Sequence, residues 1–300
     1  MLLKKYLIGV SIWKKISETS KMTLREAYEY GKEQLKKVQI EDADIDAWYL
    51  LEHVTGITRA VYFMDMHRVL SGEEEAEYRK VVGVRAKHVP LQHIIGVQEF
   101  MGLSFCVNEH VLVPRQDTEV LVENVLQMLR PGMHVLDMCT GSGCILISLL
   151  KLCGFSDITG VGVDVSEEAL EVACKNAENL GVDVTFLQSD LFSEVKDKYD
   201  VIVSNPPYIR TAVIEELKEE VKLHDPFIAL DGKEDGLYFY KRIVEESTNH
   251  LKKGGKLYFE IGYDQGEDVS RLMREAGFAD VTVKKDLAGL DRVVFGTYNI

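Results

Sequence analysis

The chain has 300 residues, 46% hydrophobic and 28% charged, which is enough apolar material for one large or two smaller packed domains and too much for a disordered polypeptide. Its 49 acidic against 35 basic residues leave a formal net charge of −14. That balance argues against nucleic acid as the main partner, because such affinity rests on Lys and Arg neutralising phosphates. Five cysteines (Cys106, Cys139, Cys144, Cys153, Cys174) without a Cys-x-x-Cys pair read as reduced thiols of a cytoplasmic protein, and the eight histidines show no ligand spacing, so no metal is expected.

In chain order, residues 1–21 carry a short apolar run ending at Trp13-Lys14-Lys15 that loosely imitates a secretory leader. It is too short and has no small-residue cleavage site, so it reads as an N-terminal extension without catalytic function, with Met22 as an alternative start. No stretch approaches the ~20 apolar residues of a bilayer span, and no membrane partner is expected.

Residues 22–89 read as a small helical bundle. Thr23-Leu-Arg-Glu26 has capping-box spacing, and Leu24, Ala27, Tyr28, Gly31 and Leu35 fall on one helical face. A second helix follows Asp42, with Ala43, Ala47, Leu50, Leu51 and Val54 as its apolar stripe; a third begins at Ser71-Gly-Glu-Glu74 and runs toward Lys87. Pro90 marks the boundary. Residues 90–112, with Gly96 and Gly102 between short apolar runs, read as a β-hairpin linker, and residues 113–300 as a second domain. There Pro114 stops the strand and a helix starts near Asp117-Thr118 and continues through Leu129.

After Pro131-Gly132 strands and helices alternate. Strands are predicted at His134–Met138, Ile158–Asp164, Val184–Gln188, Tyr199–Ser204, Lys256–Ile261, Val281–Lys284 and Val293–Tyr298. Helices are predicted at Cys144–Leu152, Glu167–Leu180, Gly236–His250 and Glu267–Ala276. Such alternation implies an open α/β fold with a mostly parallel, Rossmann-like sheet covered on both faces, whose ligands bind beyond the carboxyl ends of the strands.

Four of those strand ends carry chemistry. The first is followed by Cys139-Thr140-Gly141-Ser142-Gly143, a glycine loop that lets backbone approach a ligand and opens into a helix N-terminus. It lacks the third small residue of a dinucleotide fingerprint, since Leu146 stands there. The second strand ends at Asp164, about 20 residues on and suited to accept from ribose hydroxyls. Together they describe a nucleoside site without a pyrophosphate motif, and S-adenosylmethionine is the common ligand of that description. The third end supplies Asp190 and Leu191. Asp190 has two readings, an acceptor for an adenine amino group beside Leu191 or the N-cap of the next turn.

The fourth strand ends in Asn205-Pro206-Pro207-Tyr208. Consecutive prolines donate no N–H and fix φ near −65°, so their carbonyls stay available as acceptors. With the Asn205 side-chain carbonyl they form a stiff acceptor pair for a planar –NH₂ group, with Tyr208 as a flat surface beside it. An amide nitrogen is a weak nucleophile, so methyl transfer to it depends on holding and aiming its lone pair. Acceptors on its hydrogens also stabilise developing positive charge. Asn205 and Pro206 are therefore the candidate catalytic groups, and no strong base is required.

At this point the chain resembles the release factor glutamine methyltransferases, the PrmC/HemK family, over nearly everything from Met22 onward. The matching pieces are Pro90-Leu-Gln-His-Ile-Ile-Gly96, Phe105-Cys-Val107, Val113-Pro-Arg-Gln-Asp-Thr-Glu119, the loop after Asp137, Asn205 to Tyr208, Asp235-Gly-Leu237 and Leu287-Ala-Gly-Leu-Asp-Arg-Val293. The resemblance implies a helical substrate-recognition domain, a hairpin linker and a seven-stranded methyltransferase domain. It implies N5-methylation of the glutamine in the Gly-Gly-Gln motif of class 1 peptide chain release factors. It also implies that Cys139, Thr140, Gly141, Ser142, Gly143, Asp164, Asp190, Leu191 and Asn205 bind S-adenosylmethionine, while Asn205, Pro206, Pro207 and Tyr208 hold the substrate glutamine.

The chain departs from the family pattern at Cys139 and Lys233, where glycine is usual, at Gln116, where proline is usual, and at Leu290, where arginine is commoner. Arg115 has two readings, orienting the ligand loop or forming a structural salt bridge. The rival function is an adenine-N6 or other amino-group methyltransferase acting on DNA or RNA, which shares Asn-Pro-Pro-Tyr but calls for a basic groove. A non-enzymatic binding module is the third class, and it leaves the acceptor corner without a task.

Overall fold

A computed structural model describes residues 21–299 of the chain. The extension read at residues 1–21 lies outside the described residues except for Lys21. The chain divides into two compact units between Ile95 and Gly96.

The first unit is helical: α1 (Leu24–Lys37), α2 (Ala43–Thr55), α3 (Arg59–Met64), α4 (Gly72–Arg85) and the single turn α5 (Leu91–Ile95). Both expected capping boxes form. Thr23 Oγ1 accepts from the Glu26 amide while Glu26 reaches back to the Thr23 amide at 2.8 Å, and Ser71 and Glu74 do the same. Leu24, Ala27, Gly31 and Leu35 are buried on α1, and Ala43, Ala47, Leu50 and Leu51 on α2, whereas Tyr28 and Val54 sit at the margin. Gly31 has a packing reason. A Cβ there would stand 2.1 Å from the Tyr78 hydroxyl, which donates to the Ala47 carbonyl.

The second unit begins with a hairpin shorter than expected, β1 (Val97–Phe100) and β2 (Leu103–Cys106). The predicted hairpin started at Pro90, but residues 91–95 form α5 instead, because a proline supports a helical first turn that needs no N–H from it. Met101 and Gly102 at the tip both have positive φ, the geometry that matches a two-residue turn to strand twist. The Asn176 carboxamide ties the hairpin down, accepting from the Cys106 amide and donating to the carbonyls of Cys106 and Ser142.

Next come α6 (Gln116–Met128), β3 (His134–Met138), α7 (Cys144–Leu152), β4 (Thr159–Asp164), α8 (Glu167–Leu180), β5 (Thr185–Gln188) and β6 (Tyr199–Ser204). Three short helices follow, α9 (Thr211–Ile214), α10 (Glu219–His224) and α11 (Phe227–Leu230), in a stretch for which no element is predicted. Pieces of four to six residues are too short for a hydrophobic period to show. The chain ends with α12 (Tyr238–His250), β7 (Leu251–Glu260), α13 (Gly266–Glu275), β8 (Phe278–Lys285) and β9 (Asp291–Tyr298).

The seven strands form one Rossmann-like sheet in the order β5-β4-β3-β6-β7-β9-β8, parallel except for β9. Alternate residues feed two apolar layers. Leu136, Met138, Ile202 and Phe259 face one side, and Val135, Val201, Val203 and Tyr258 the other. From β3 the chain moves outward to β4 and β5, then returns to place β6 on the opposite side of β3. That reversal opens a crevice beyond the carboxyl ends of β3, β4 and β6, where such sheets bind ligands.

Candidate active site

A cavity of about 360 Å³ occupies this crevice, within the size range of small-ligand sites. Its floor is the turn from β3 to α7. Cys139, Gly141 and Gly143 there all have positive φ. Gly143 lets the turn pack tightly, since a Cβ would press on Ile147, Ala173 and Phe186, whereas a Cβ on Gly141 would meet nothing within 4 Å and would point into open space. Backbone is thus presented bare to the cavity. Cys139 adopts the left-handed backbone that glycine takes without strain, a region an ordinary side chain occupies at a cost of about 1–2 kcal/mol.

Two carboxylates brace the turn. Asp137 is fully buried and accepts from the Thr140 hydroxyl at 2.6 Å; burial pushes its pKa up to about 7 against the pull of that bond and of the Leu146 amide. Asp164, at the end of β4, accepts the Gly141 amide at 2.8 Å and the Ser166 amide at 3.1 Å. Its burial raises the pKa and those amides lower it, and each oxygen keeps a lone pair for a further donor. Asp164 lines the cavity beside Ser142 and Ala169.

Past β5, Ser189, Asp190 and Leu191 form another wall. Leu191 is buried with positive φ, and Asp190 pairs with Arg242 of α12 at 2.9 Å. Arg242 lines the cavity together with its neighbours Tyr238 and Phe239. These three went unread in the sequence because nothing local distinguishes the exposed and buried faces of one helix as ligand-facing. Two other cations on the rim are likewise paired, Arg115 with Asp225 at 2.8 Å and Lys233 with Asp231 at 2.8 Å. Arg115 is therefore in the salt bridge that was one of its two readings. Asp225 has its pKa raised to about 6 by burial, with Arg115 pulling it back. Gln116 opens α6 as its first residue, a position where proline is also well accommodated.

At the end of β6, Asn205 and Pro207 line the same cavity as the glycine turn; Pro206 and Tyr208 do not. Pro206 is buried, and the half-buried Tyr208 turns its hydroxyl to Glu260 Oε1 at 3.4 Å. Asn205 donates from Nδ2 to Thr118 Oγ1 at 3.5 Å, which leaves its Oδ1 free of that contact. Among the described residues no hydrogen bond ends on the carbonyls of Asn205 or Pro206, whereas the Tyr208 carbonyl is taken by Gln265 Nε2 at 3.1 Å.

The corner is held from behind by the segment after α11. Ile209 donates to the Leu230 carbonyl and Gly232 donates to the Ile209 carbonyl at 2.8 Å. Gly232 lies so close that a Cβ would stand 2.7 Å from Tyr208 Cα and 2.9 Å from Gly236 Cα. Lys233, like Cys139, has positive φ. Thr118 and Glu260 were also missed. Glu260 had a signal, an acid at the end of a predicted strand, as Asp164 has.

The sequence matches the PrmC N-terminal domain over residues 26–96 and the methyltransferase small domain over residues 115–222. It is 41% identical to the release factor glutamine methyltransferase of Geobacter sulfurreducens over 275 residues, covering 91% of this chain and 96% of that one. The enzyme of the same name from Caulobacter vibrioides is 41% identical over 283 residues, covering 93% and 97%. Among solved structures, a methyltransferase from Pyrococcus furiosus shares the fold, with a TM-score of 0.51 and 20% identity over 67% of this chain and 91% of that one. This chain is an S-adenosylmethionine-dependent methyltransferase and belongs to the release factor glutamine methyltransferase family.

Proposed function

We propose that the protein methylates the side-chain nitrogen N5 of the glutamine in the Gly-Gly-Gln motif of class 1 peptide chain release factors, drawing the methyl group from S-adenosylmethionine. The observation that carries this reading is the meeting of Asn205 and Pro207 with the glycine turn around one cavity, beside a Pro206 carbonyl that no hydrogen bond among the described residues occupies. The residues present suit the methyl donor. Bare backbone at Gly141 allows close approach, Asp164 keeps acceptor capacity for ribose hydroxyls, and Leu191 is an apolar surface for a flat base. Arg115, Lys233 and Arg242 are each neutralised by a carboxylate, which removes repulsion toward a cationic ligand. Cys139, Thr140, Ser142, Gly143 and Asp190 complete the proposed cofactor site.

When bound, the donor supplies an electrophilic methyl on a sulfonium. Everything else falls to the protein. Asn205 Oδ1 and the Pro206 carbonyl accept the two N–H hydrogens of the substrate amide, which fixes the nitrogen and turns the face of its π system toward the cofactor side. The same acceptors are preorganised against the positive charge that develops on nitrogen. Pro207 supports the corner with fixed φ, and Tyr208 anchors it through Glu260 and Gln265.

Five free thiols support a reducing, cytoplasmic setting. Among the described residues no helix is long and apolar enough to cross a membrane. The test is incubation of the purified protein with S-adenosylmethionine and a folded class 1 release factor, followed by mass spectrometry of the Gly-Gly-Gln peptide. One added methyl on glutamine is expected. Methyl incorporation into DNA or RNA with none in the release factor would transfer the assignment to the amino-group methyltransferases of nucleic acids.

A further inference from the structure

A ring of contacts frames the cavity, and one of its links is a charge pair that the mechanism above does not use. Arg115, the N-cap of α6, gives Nη2 to Asp225 Oδ2 at 2.8 Å. Asp225 joins α10 to α11, and Pro226, Ile228 and Ala229 just beyond it line the cavity. At its far end α11 is tied to the acceptor corner. Ile209, the residue after Tyr208, donates to the Leu230 carbonyl at 3.0 Å, and Gly232 donates to the Ile209 carbonyl at 2.8 Å. The corner in turn meets α6, where Asn205 Nδ2 reaches Thr118 Oγ1 at 3.5 Å. The Thr118 amide donates to the Arg115 carbonyl at 3.1 Å, and the ring closes.

The charge pair is the link whose loss has the largest consequence. The Asp225 side chain is 0% exposed, whereas that of Arg115 is 44% exposed. Asp225 Oδ1 is buried without a hydrogen bond, so the guanidinium compensates a carboxylate that water does not reach. A buried charge stripped of its partner is strongly unfavourable, and moving it into water relieves that cost. Such a move would carry the start of α11 with it. Phe227 and Ile228 there are already 57% and 54% exposed, so little packing opposes the motion.

We infer that Arg115 is a positioning residue: by pairing with Asp225 it pins α11 as a wall of the cavity and closes the ring that fixes the aim of Asn205. This rests on the substrate-holding role proposed above for Asn205. Arg115 needs no contact with the reacting atoms for this task. It neutralises a charge, the neutralised charge stays buried, and α11 stays in place between Asp225 and the corner. The pair needs the carboxylate form of Asp225, whose pKa burial raises to about 6.

The test uses the full chain at about pH 8, where that carboxylate is ionised. Methyl transfer to a folded release factor, calorimetric binding of S-adenosylhomocysteine and hydrogen exchange of the Ala229 and Asp231 amides are measured together. Those amides bond to the Pro226 and Phe227 carbonyls at 2.9 and 3.1 Å and so report on α11. Arg115→Leu is expected to lower kcat by roughly 10- to 100-fold with KM for release factor within about threefold, the pattern of a misaimed group. Exchange at the two amides should speed by about tenfold or more. Affinity for S-adenosylhomocysteine should stay within about threefold, because the glycine turn, Asp164 and Leu191 lie outside the ring. Adding Asp225→Asn to Arg115→Leu should raise kcat again by about fivefold or more and slow the exchange, since no buried charge then drives α11 outward. No recovery in the double variant, or unchanged exchange in folded Arg115→Leu, would overturn the inference. So would a loss confined to S-adenosylhomocysteine affinity, which would make Arg115 a direct ligand contact. Should Arg115→Leu not fold, Arg115→Lys against Arg115→Gln decides: lysine keeps a charge for Asp225 and should be faster by about fivefold or more, and equal rates refute the idea. A wild-type protein inactive on release factor would instead refute the proposed function, leaving the exchange rates and their reversal in the double variant to judge the ring alone.

Discussion

Gly232→Ala separates the geometry of the acceptor corner from the stability of the fold. A Cβ at Gly232 would lie 2.7 Å from Tyr208 Cα, 2.8 Å from Tyr208 C and 2.9 Å from Gly236 Cα. All three are backbone atoms, so no side chain can rotate away. Restoring an ordinary contact of 3.4 Å from 2.7 Å requires the two segments to part by about 0.7 Å, and Tyr208 is one residue beyond Pro207 in the cavity wall. A displacement approaching 1 Å in a substrate-holding group costs on the order of 10²-fold in rate. Overpacking of this kind also costs about 1–3 kcal/mol of stability, which the unit can lose and remain folded. We expect Gly232→Ala to lower kcat for release factor methylation by roughly 30- to 100-fold, with S-adenosylhomocysteine affinity within about threefold of wild type. Steady-state methyl transfer, isothermal titration and thermal denaturation on the same preparation measure the three quantities. Gly141→Ala is the control, because it adds backbone strain at positive φ with no atom within 4 Å to collide with, and its cost should appear in cofactor affinity. A folded Gly232→Ala protein with wild-type kcat would refute the reasoning, since it would mean the corner tolerates a shift that substrate positioning cannot.

Other perturbations probe neighbouring parts of the site. Asn205→Ala should lower kcat by about 10²–10³-fold while the melting temperature stays close to wild type, read by radiolabelled methyl transfer and calorimetry; an unchanged rate would mean the amide is held elsewhere. Cys139→Gly should fold as well as wild type because the position already has positive φ, whereas Cys139→Val should cost about 1–3 kcal/mol by chemical denaturation, a β-branched residue being least suited to that backbone. Asp137, raised to about 7 by burial, holds its proton more tightly in the folded chain than in the unfolded one. Its contribution to stability is therefore fully present below the ordinary value of 3.8 and is lost as pH rises through about 7. Asp137→Asn should gain on wild type across that window by an amount on the order of 4 kcal/mol or less, measured as the pH dependence of the difference in unfolding free energy; a difference flat with pH would contradict the buried charge.

Much of the fold was readable before any coordinates. The α7 and α8 boundaries, and β3 and β6, fall where caps, glycines and apolar runs place them. β7, read as starting at Lys256, extends back to Leu251, which pairs with Tyr199 across an irregularity in the register, a long-range event that local sequence does not announce. The site was partly readable for a similar reason. Asp164, Leu191 and Asn205 sit at strand ends, and a parallel sheet collects its strand ends at one edge, so local position already implied common location. Thr118, Arg242 and Lys233 belong to α6, α12 and the loop between α11 and α12, whose approach to that edge is set by packing over distances no motif spans.

What the amino-acid order determined alone was the alternation of elements, the family and the stiffness of Asn205-Pro206-Pro207, since periodicity, capping and proline chemistry are local and survive without a folded context. Only the tertiary structure decided which strand lies beside β3, that Pro206 and Tyr208 stand back from the cavity while Asn205 and Pro207 face it, and that Glu260 is buried behind them. Side-chain direction past a strand end depends on what packs against it. In this chain that is Gly232 against Tyr208 on one side, and Thr118 at Asn205 with Glu260 at Tyr208 on the other, groups brought from 24 to 87 residues away.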